Sequence, residues 1–251
     1  MVHFVGAGCG AADLMTLRGK RLLEEADVII YAGSLVNEEL LNYAKAGCEF
    51  HNSAKMHLDE VISVMENAEK QDKMTVRLHT GDPSVYGAIR EQMDRLDMLG
   101  IEYDVCPGVS SFCGAAAALR AEYTLPGVSQ TVILTRMAGR TPVPEGQEIS
   151  SLASHHATMV IFLSAAMTEE LSAQLMSGGY RPETPAAIVY RATWKDEQVH
   201  RCTVATLAET AKIHGIYKHA LITVGDFLGD EHELSKLYDA HFETEFRKAK
   251  P

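Results

Sequence analysis

The sequence predicts an α/β protein with a mostly parallel sheet in an N-terminal domain and a mixed sheet in a C-terminal domain. Three observations predict it. Short β-branched runs alternate with segments of helical apolar spacing through the first half, the pattern of βαβ crossovers. Three glycine-containing loops each follow one of those runs. In the second half, two apolar runs flank the polar turn Lys195-Asp196-Glu197, as in an antiparallel hairpin. The segment Thr124-Leu125-Pro126-Gly127 carries the Pro-Gly pair of a hinge, which divides the chain into domains 1–125 and 126–251.

Taken in order, Val2–Val5 reads as a strand that runs into Gly6-Ala7-Gly8-Cys9-Gly10. Thr16 is placed to cap a helix reaching about Ala26, because its hydroxyl can accept from a free N–H of the first turn. Val28–Tyr31 is a second strand and Val36–Ala44 is expected to be helical. Leu58, Val61, Ile62, Met65 and Ala68 give the stretch from His57 to about Lys70 a helical face. Thr75–Leu78 and Tyr103–Val105 are strands, and Ser84–Met98 and the Ala-rich Ser110–Leu119 are helices. Beyond the hinge, Thr131–Thr135, Met159–Leu163, Ala186–Arg191, Gln198–Cys202 and Ala220–Val224 read as strands, and Val204–His214 as a helix. Arg140–Gly146, with its two prolines, is a loop, and Leu234, Leu237 and Tyr238 give the polar tail a helical spacing.

Composition narrows the function. Of 251 residues, 46% are apolar and 23% charged, ordinary proportions for a chain that builds a core. No apolar run reaches the roughly 18–20 residues that span a bilayer, and a strand at the start of the chain leaves no room for a signal peptide. A formal net charge of −11 argues against a nucleic-acid surface, which needs clustered Lys and Arg. It does not exclude an anionic small molecule, since a cleft can be locally basic. The five cysteines are scattered, with no CxxC pair, so neither a disulfide framework nor a metal site is expected and the cytoplasm is the expected compartment.

The three glycine loops hold the candidate chemistry. Gly6-Ala7-Gly8-Cys9-Gly10-Ala11 fits the permissive dinucleotide pattern G-x-G-x-x-A. Against that reading, the second strand ends Tyr31-Ala32-Gly33-Ser34 without the acid that would hold a ribose, and the helix starts late. A tight turn with positive φ is compatible with either function. In His79-Thr80-Gly81-Asp82-Pro83-Ser84-Val85-Tyr86-Gly87, Gly81 lets the backbone approach a ligand, and Asp82 can accept hydrogen bonds from one or begin a turn. In Cys106-Pro107-Gly108-Val109-Ser110-Ser111-Phe112, either serine can cap the following helix; the loop lies at the carboxyl end of a strand, where ligands of open α/β sheets bind.

The phrases VGAGCGAADLMTLRG, ADVIIYAGSLV, VRLHTGDPSVYG, VCPGVSSF and TRMAGRTPVP occur in this order over nearly the whole chain. Together they resemble the tetrapyrrole methylases, and YAGSL, HTGDPSVYG, PGVSSF, TRMAGRTPVP and YRATW look like the branch that methylates ring carbon C11 of precorrin-4 or its cobalt form. The YAGSL and TRMAGRTPVP phrases argue against the uroporphyrinogen-III and precorrin-3 branches; the missing acid after Tyr31 argues against a NAD-dependent oxidoreductase.

The resemblance implies a two-domain enzyme and a homodimer, with the methyl donor S-adenosylmethionine in a cleft between domains and S-adenosylhomocysteine as product. It implies donor contacts at Gly81, Asp82, Val85, Ser110, Ser111 and Met137, and at Leu163, Ala187 and Ala220, expected at strand ends. The first glycine loop, with Gly8, would face the tetrapyrrole. That substrate carries many carboxylates, which arginine captures well, so Arg18, Arg136 and Arg140 are the substrate candidates. Some relatives have an acid after the tyrosine of the second strand; here that position is Ala32. Tyr31, Asp13 or a pyrrole nitrogen of the substrate is left to take a proton.

Overall fold

The computed structural model describes residues 1–250, which fall into two compact units. The first is Met1–Ala118 together with Arg191–Gln198. The second is Leu119–Tyr190 with the chain from Val199 onward. The division therefore comes before the expected hinge, and Thr124–Gly127 lies inside the second unit. The reason is visible at Tyr123, whose carbonyl accepts the Thr158 hydroxyl at 2.9 Å and whose ring packs edge-on against Phe227 at 5.2 Å.

In the first unit the elements are β1 (Val2–Gly6), α1 (Leu17–Glu25), β2 (Val28–Tyr31), β3 (Glu49–Asn52), α2 (Leu58–Glu69), β4 (Thr75–His79), α3 (Arg90–Leu99), β5 (Tyr103–Cys106) and α4 (Ser111–Leu119). The sheet runs β3-β2-β4-β1-β5 and every pairing is parallel. Both faces are covered, as a parallel sheet requires. On one, Val5, Ile29, Val76 and Leu78 pack with Leu22, Leu23, Val36 and Leu40. On the other, Val2, Phe4, Val28 and Ile30 pack with Val61, Ile62, Met65 and Leu96. Thr16 caps α1 as expected, accepting the Gly19 N–H at 3.1 Å. At the start of α2 the Glu60 carboxylate accepts the His57 N–H at 2.7 Å.

The second unit contains β6 (Val132–Arg136), α5 (Ile149–Ala153), β7 (Thr158–Phe162), α6 (Thr168–Ser177), β8 (Pro185–Tyr190), β9 (Gln198–Thr203), α7 (Leu207–Ile213) and β10 (Ala220–Val224). Its sheet, β6-β7-β10-β8-β9, is mixed: β6 and β7 are parallel, while β10 is antiparallel to β7 and β8. Leu171 and Leu175 of α6 and Leu207 and Ala211 of α7 bury one face against Met159, Ile161, Ile188, Ile222 and Val224.

Several expected elements differ. Val36–Ala44 is a 3-10 turn over Glu38–Tyr43, capped by the Asn37 side chain. The helix expected from Ser84 starts only at Arg90, because Tyr86 (φ 56°) and Ala88 (φ 49°) are left-handed and interrupt it. The tail forms a single 3-10 turn, Lys236–Tyr238, on exposed apolar residues. The polar edge strand β3 and the helices α5 and α6 were not expected from the sequence.

Candidate functional site: three strand-end loops and an arginine-bearing loop

In the first unit β1 lies between β4 and β5, so the loops leaving these strands meet at their carboxyl ends. Backbone atoms make the junction. Gly8 and Gly81 form an isolated antiparallel bridge, with N–H to carbonyl distances of 3.3 and 2.9 Å. The Ala7 N–H donates to the His79 carbonyl at 2.7 Å. Gly8 (φ 82°) and Gly81 (φ 64°) are left-handed, which glycine adopts without a side-chain clash. A Cβ on Gly6 would sit 2.5 Å from the Gly108 Cα and 2.6 Å from the Gly81 oxygen. Only glycines let the three loops close to this distance.

Asp82 fastens the same corner. One carboxylate oxygen accepts the Gly108 N–H at 2.8 Å; the other accepts the Ser84 N–H at 2.9 Å and the Ser84 hydroxyl. Partial burial pushes this carboxyl up, but the hydrogen bonds from Ser84 and Gly108 outweigh it and hold it below its ordinary value. Val85 is half-buried and its N–H donates to the Asp82 carbonyl at 3.2 Å. A Cβ on Gly81 would stand 3.4 Å from the Ser111 nitrogen, so the loop abuts the start of α4. Ser110 is buried; its carbonyl accepts the Cys113 N–H at 3.0 Å. Thus Gly8, Gly81, Asp82, Ser110 and Ser111 are brought together.

Beneath this corner the buried face of β4 is polar. The Arg77 guanidinium donates to the Gln92 side chain at 3.1 Å and the Ile30 carbonyl at 3.3 Å, and burial lowers it to about 10. His79, only 4% exposed, is lowered to about 3 by burial and by Arg77, so its imidazole is neutral. Among the described residues, its Nε2 and the Thr80 hydroxyl are buried without a protein partner. Such orphaned atoms are uncommon and suit a site that receives a polar ligand or water.

The glycine loop of β1 is held by the segment Arg191–Trp194, within the phrase YRATW. The Thr193 hydroxyl accepts the Ala11 N–H at 3.0 Å and lies 3.7 Å from the Cys9 sulfur. Asn37 donates to the Gly10 carbonyl at 3.0 Å. Thr193 has φ 67°, rare for a β-branched residue. The Arg191 guanidinium covers the Trp194 ring at 4.2 Å and pairs with Asp196 at 3.1 Å. Tyr31 ends β2, half-buried, its carbonyl accepting the Ser53 hydroxyl at 3.1 Å. Asp13 is exposed in the 3-10 turn Ala12–Leu14, and Arg18 is exposed in the first turn of α1. Among the described residues neither has an ion-pair partner.

In the second unit Arg136, Met137, Leu163 and Ala220 lie at one edge of the sheet, where β6 and β7 end and β10 begins. Leu163 is 67% exposed with φ 54°. Ala187 is not at the strand end expected for it: it is inside β8, fully buried and paired with Thr223. Met137 is buried in the core, its N–H donating to the Ser164 hydroxyl at 3.0 Å. The Arg136 guanidinium is turned to its own loop, donating to the carbonyls of Met137 (3.0 Å), Thr141 (3.1 Å) and Pro142 (2.8 Å). Arg140 is exposed on that loop. Ser164 and Thr193 are functional candidates missed in the sequence; the position of Thr193 within YRATW was the available signal.

Sequence and overall fold place the chain among known proteins. The signature of the Tetrapyrrole (Corrin/Porphyrin) Methylases matches residues 1–208. A protein of Methanocaldococcus jannaschii named cobalt-precorrin-4 C(11)-methyltransferase is 54% identical over 249 residues, 99% of this chain and 96% of its own. The precorrin-4 C(11)-methyltransferase of Mycobacterium tuberculosis is 44% identical over 231 residues, covering 92% of each chain. Among solved structures, the cobalt precorrin-4 methyltransferase CbiF superposes with a TM-score of 0.89 at 44% identity, over 91% of this chain and 96% of that one. A uroporphyrin-III C-methyl transferase of Thermus thermophilus, solved with S-adenosyl homocysteine, does so with a TM-score of 0.73 at 25% identity, over 91% and 93%. Sequence and fold together identify the chain as a member of the tetrapyrrole (corrin/porphyrin) methylases.

Proposed function

We propose that this protein transfers a methyl group from S-adenosylmethionine to ring carbon C11 of precorrin-4 or cobalt-precorrin-4, giving the corresponding precorrin-5 and S-adenosylhomocysteine in cobalamin synthesis. What carries the reading is near end-to-end identity of 54% and 44% to proteins named for this reaction, with the strand-end loops of the family assembled intact. The working form is a homodimer in the cytoplasm; among the described residues no helix is long and apolar enough to cross a membrane.

The sulfonium donor brings an already activated methyl group, so the protein has to align two carbons and exclude water. The corner of Gly81, Asp82, Val85, Ser110 and Ser111 suits the donor's ribose and methionine portions. Its buried Thr80 hydroxyl lacks a partner, and the lone pairs of Asp82 that remain free can accept from donor hydroxyls or the amine. Leu163, with Met137 and Ala220 behind it, supplies apolar wall. Ala187, buried inside β8, lies further along the same sheet and would contact the donor through its backbone only. Gly8 and its loop face the macrocycle, whose carboxylates are taken by Arg18 and Arg140. Asp13 and Tyr31 are the side chains available to accept a proton, and a substrate pyrrole nitrogen is the alternative.

Calorimetric titration with S-adenosylhomocysteine, with NAD as control, tests the donor site. Micromolar binding of the first alone is expected, and Asp82→Ala should weaken it by about 1–3 kcal/mol. Binding of NAD alone, or of neither, overturns the reading. Turnover of precorrin-4 with and without cobalt then fixes the substrate, and a product methylated elsewhere than C11 assigns the chain to another branch.

A further inference from the structure

The loop after β6 is shaped by one side chain. Arg136 ends the strand, and its guanidinium donates to the carbonyls of Met137, Thr141 and Pro142, at both ends of the loop. A planar guanidinium presents its N–H donors in a fixed fork, so it can hold several carbonyls in one arrangement where a lysine cannot. The Thr141 carbonyl also accepts the Gly139 N–H at 3.1 Å, closing the tip around Arg140. The root is equally fixed: the Ser164 hydroxyl accepts from the Met137 N–H at 3.0 Å and donates to the Phe162 carbonyl at 2.7 Å, and Ser164 is fully buried. Residues 138–142 are all exposed. Among the described residues no carboxylate pairs with Arg140.

We propose that Arg136 is a positioning residue, not a substrate ligand: it clamps loop 137–142 so that Arg140, at the tip, takes a carboxylate of the anionic macrocycle. This rests on the methyltransferase reading above. An arginine on a mobile loop loses conformational entropy on capturing a carboxylate; one on a loop already closed through its backbone carbonyls loses less. Arg136 therefore acts on substrate affinity through Arg140, while Met137, buried and held at its N–H by Ser164, keeps its place and donor affinity is untouched.

Two readouts on the full-length protein separate the clamp from the function. Trypsin should cleave after Arg140 slowly in the wild type, and Arg136→Gln should accelerate that cleavage at least about tenfold, as expected when loss of charge-assisted hydrogen bonds opens the loop. Arg136→Lys should fall between the two. An unchanged cleavage rate in Arg136→Gln overturns the clamp whatever the enzyme's substrate. In turnover of precorrin-4, with or without cobalt, Arg140→Gln and Arg136→Gln should each raise KM about tenfold with S-adenosylhomocysteine affinity unchanged. The double variant should be no worse than Arg140→Gln alone, since one residue works through the other. Additive losses would make Arg136 a direct ligand, and an unchanged KM in Arg140→Gln would remove Arg140; either overturns the proposal. A wild type that methylates no tetrapyrrole fails the functional reading, while the proteolysis result still judges the clamp.

Discussion

The loop junction of the first unit and the β6 loop of the second are both ordered, but by opposite means. At the ends of β1, β4 and β5, backbone meets backbone; glycines at 6 and 108 make room for it, and Gly81 supplies a left-handed turn. After β6, side chains do the fastening: a guanidinium gathers three carbonyls and a buried serine hydroxyl anchors the root. The first arrangement tolerates no added atom at its contact points. The second depends on two polar groups and tolerates variation between them. A site that must fit a constant donor can be built the first way, while a surface that selects a substrate is more readily varied the second way.

The sharpest way to break the comparison is Gly108→Ala. Its Cβ would lie 2.7 Å from the Gly6 Cα and overlap the Gly81 carbonyl oxygen, both backbone atoms of buried residues that cannot swing aside. The expected loss is about 3 kcal/mol of stability together with S-adenosylhomocysteine binding. Gly139→Ala is the control: its Cβ would meet only the flexible end of Met167, at 3.6 Å. Thermal unfolding of the two variants checks this. Equal stability would mean that the junction yields more than close packing of backbone permits.

Much of this was legible. The glycine loops stand out because each follows a strand, and the fold class followed from the alternation of β-branched runs with helical spacing. The polar fastenings did not. Arg136 reads in sequence as a free cation for a carboxylate, and only the folded loop brings carbonyls around it. Asp82 illustrates the middle ground: ligand contact and turn formation were both open, and the structure shows its carboxylate holding Gly108 and Ser84. The helix expected from Ser84 failed because its apolar spacing is helical while Tyr86 and Ala88 are left-handed, a conformation that nothing in residues of these types signals.

A smaller effect sharpens the view of the first unit's interior. His79 is neutral in the fold, lowered from its ordinary 6.5 to about 3 by burial and Arg77. Between those values the unfolded chain binds a proton that the folded chain does not. The stability from keeping His79 neutral is therefore complete above about pH 6.5 and is lost as pH falls toward about 3. At about 1.4 kcal/mol per pH unit, about 2 kcal/mol should go between pH 6.5 and 5. Urea denaturation across this range should follow that slope, and His79→Gln should flatten it. A slope unchanged in the variant would mean that His79 is already protonated in the fold.

The smallest predicted effect tests whether strain at the second unit's sheet edge serves ligand binding. Leu163 is left-handed at φ 54° and 67% exposed, so it carries backbone strain without the compensation of burial. Leu163→Gly removes a conformational penalty of about 1–2 kcal/mol while giving the unfolded chain more freedom, for a net gain of about 1 kcal/mol. If the side chain is a wall for the methyl donor, S-adenosylhomocysteine affinity should fall in the same variant that melts higher. That opposition is what strain retained for function produces, since a residue with no task at this position has no reason to oppose glycine. A variant that gains stability and binds as tightly as the wild type would move the donor's apolar contacts away from Leu163, toward Met137 and Ala220 on the same edge.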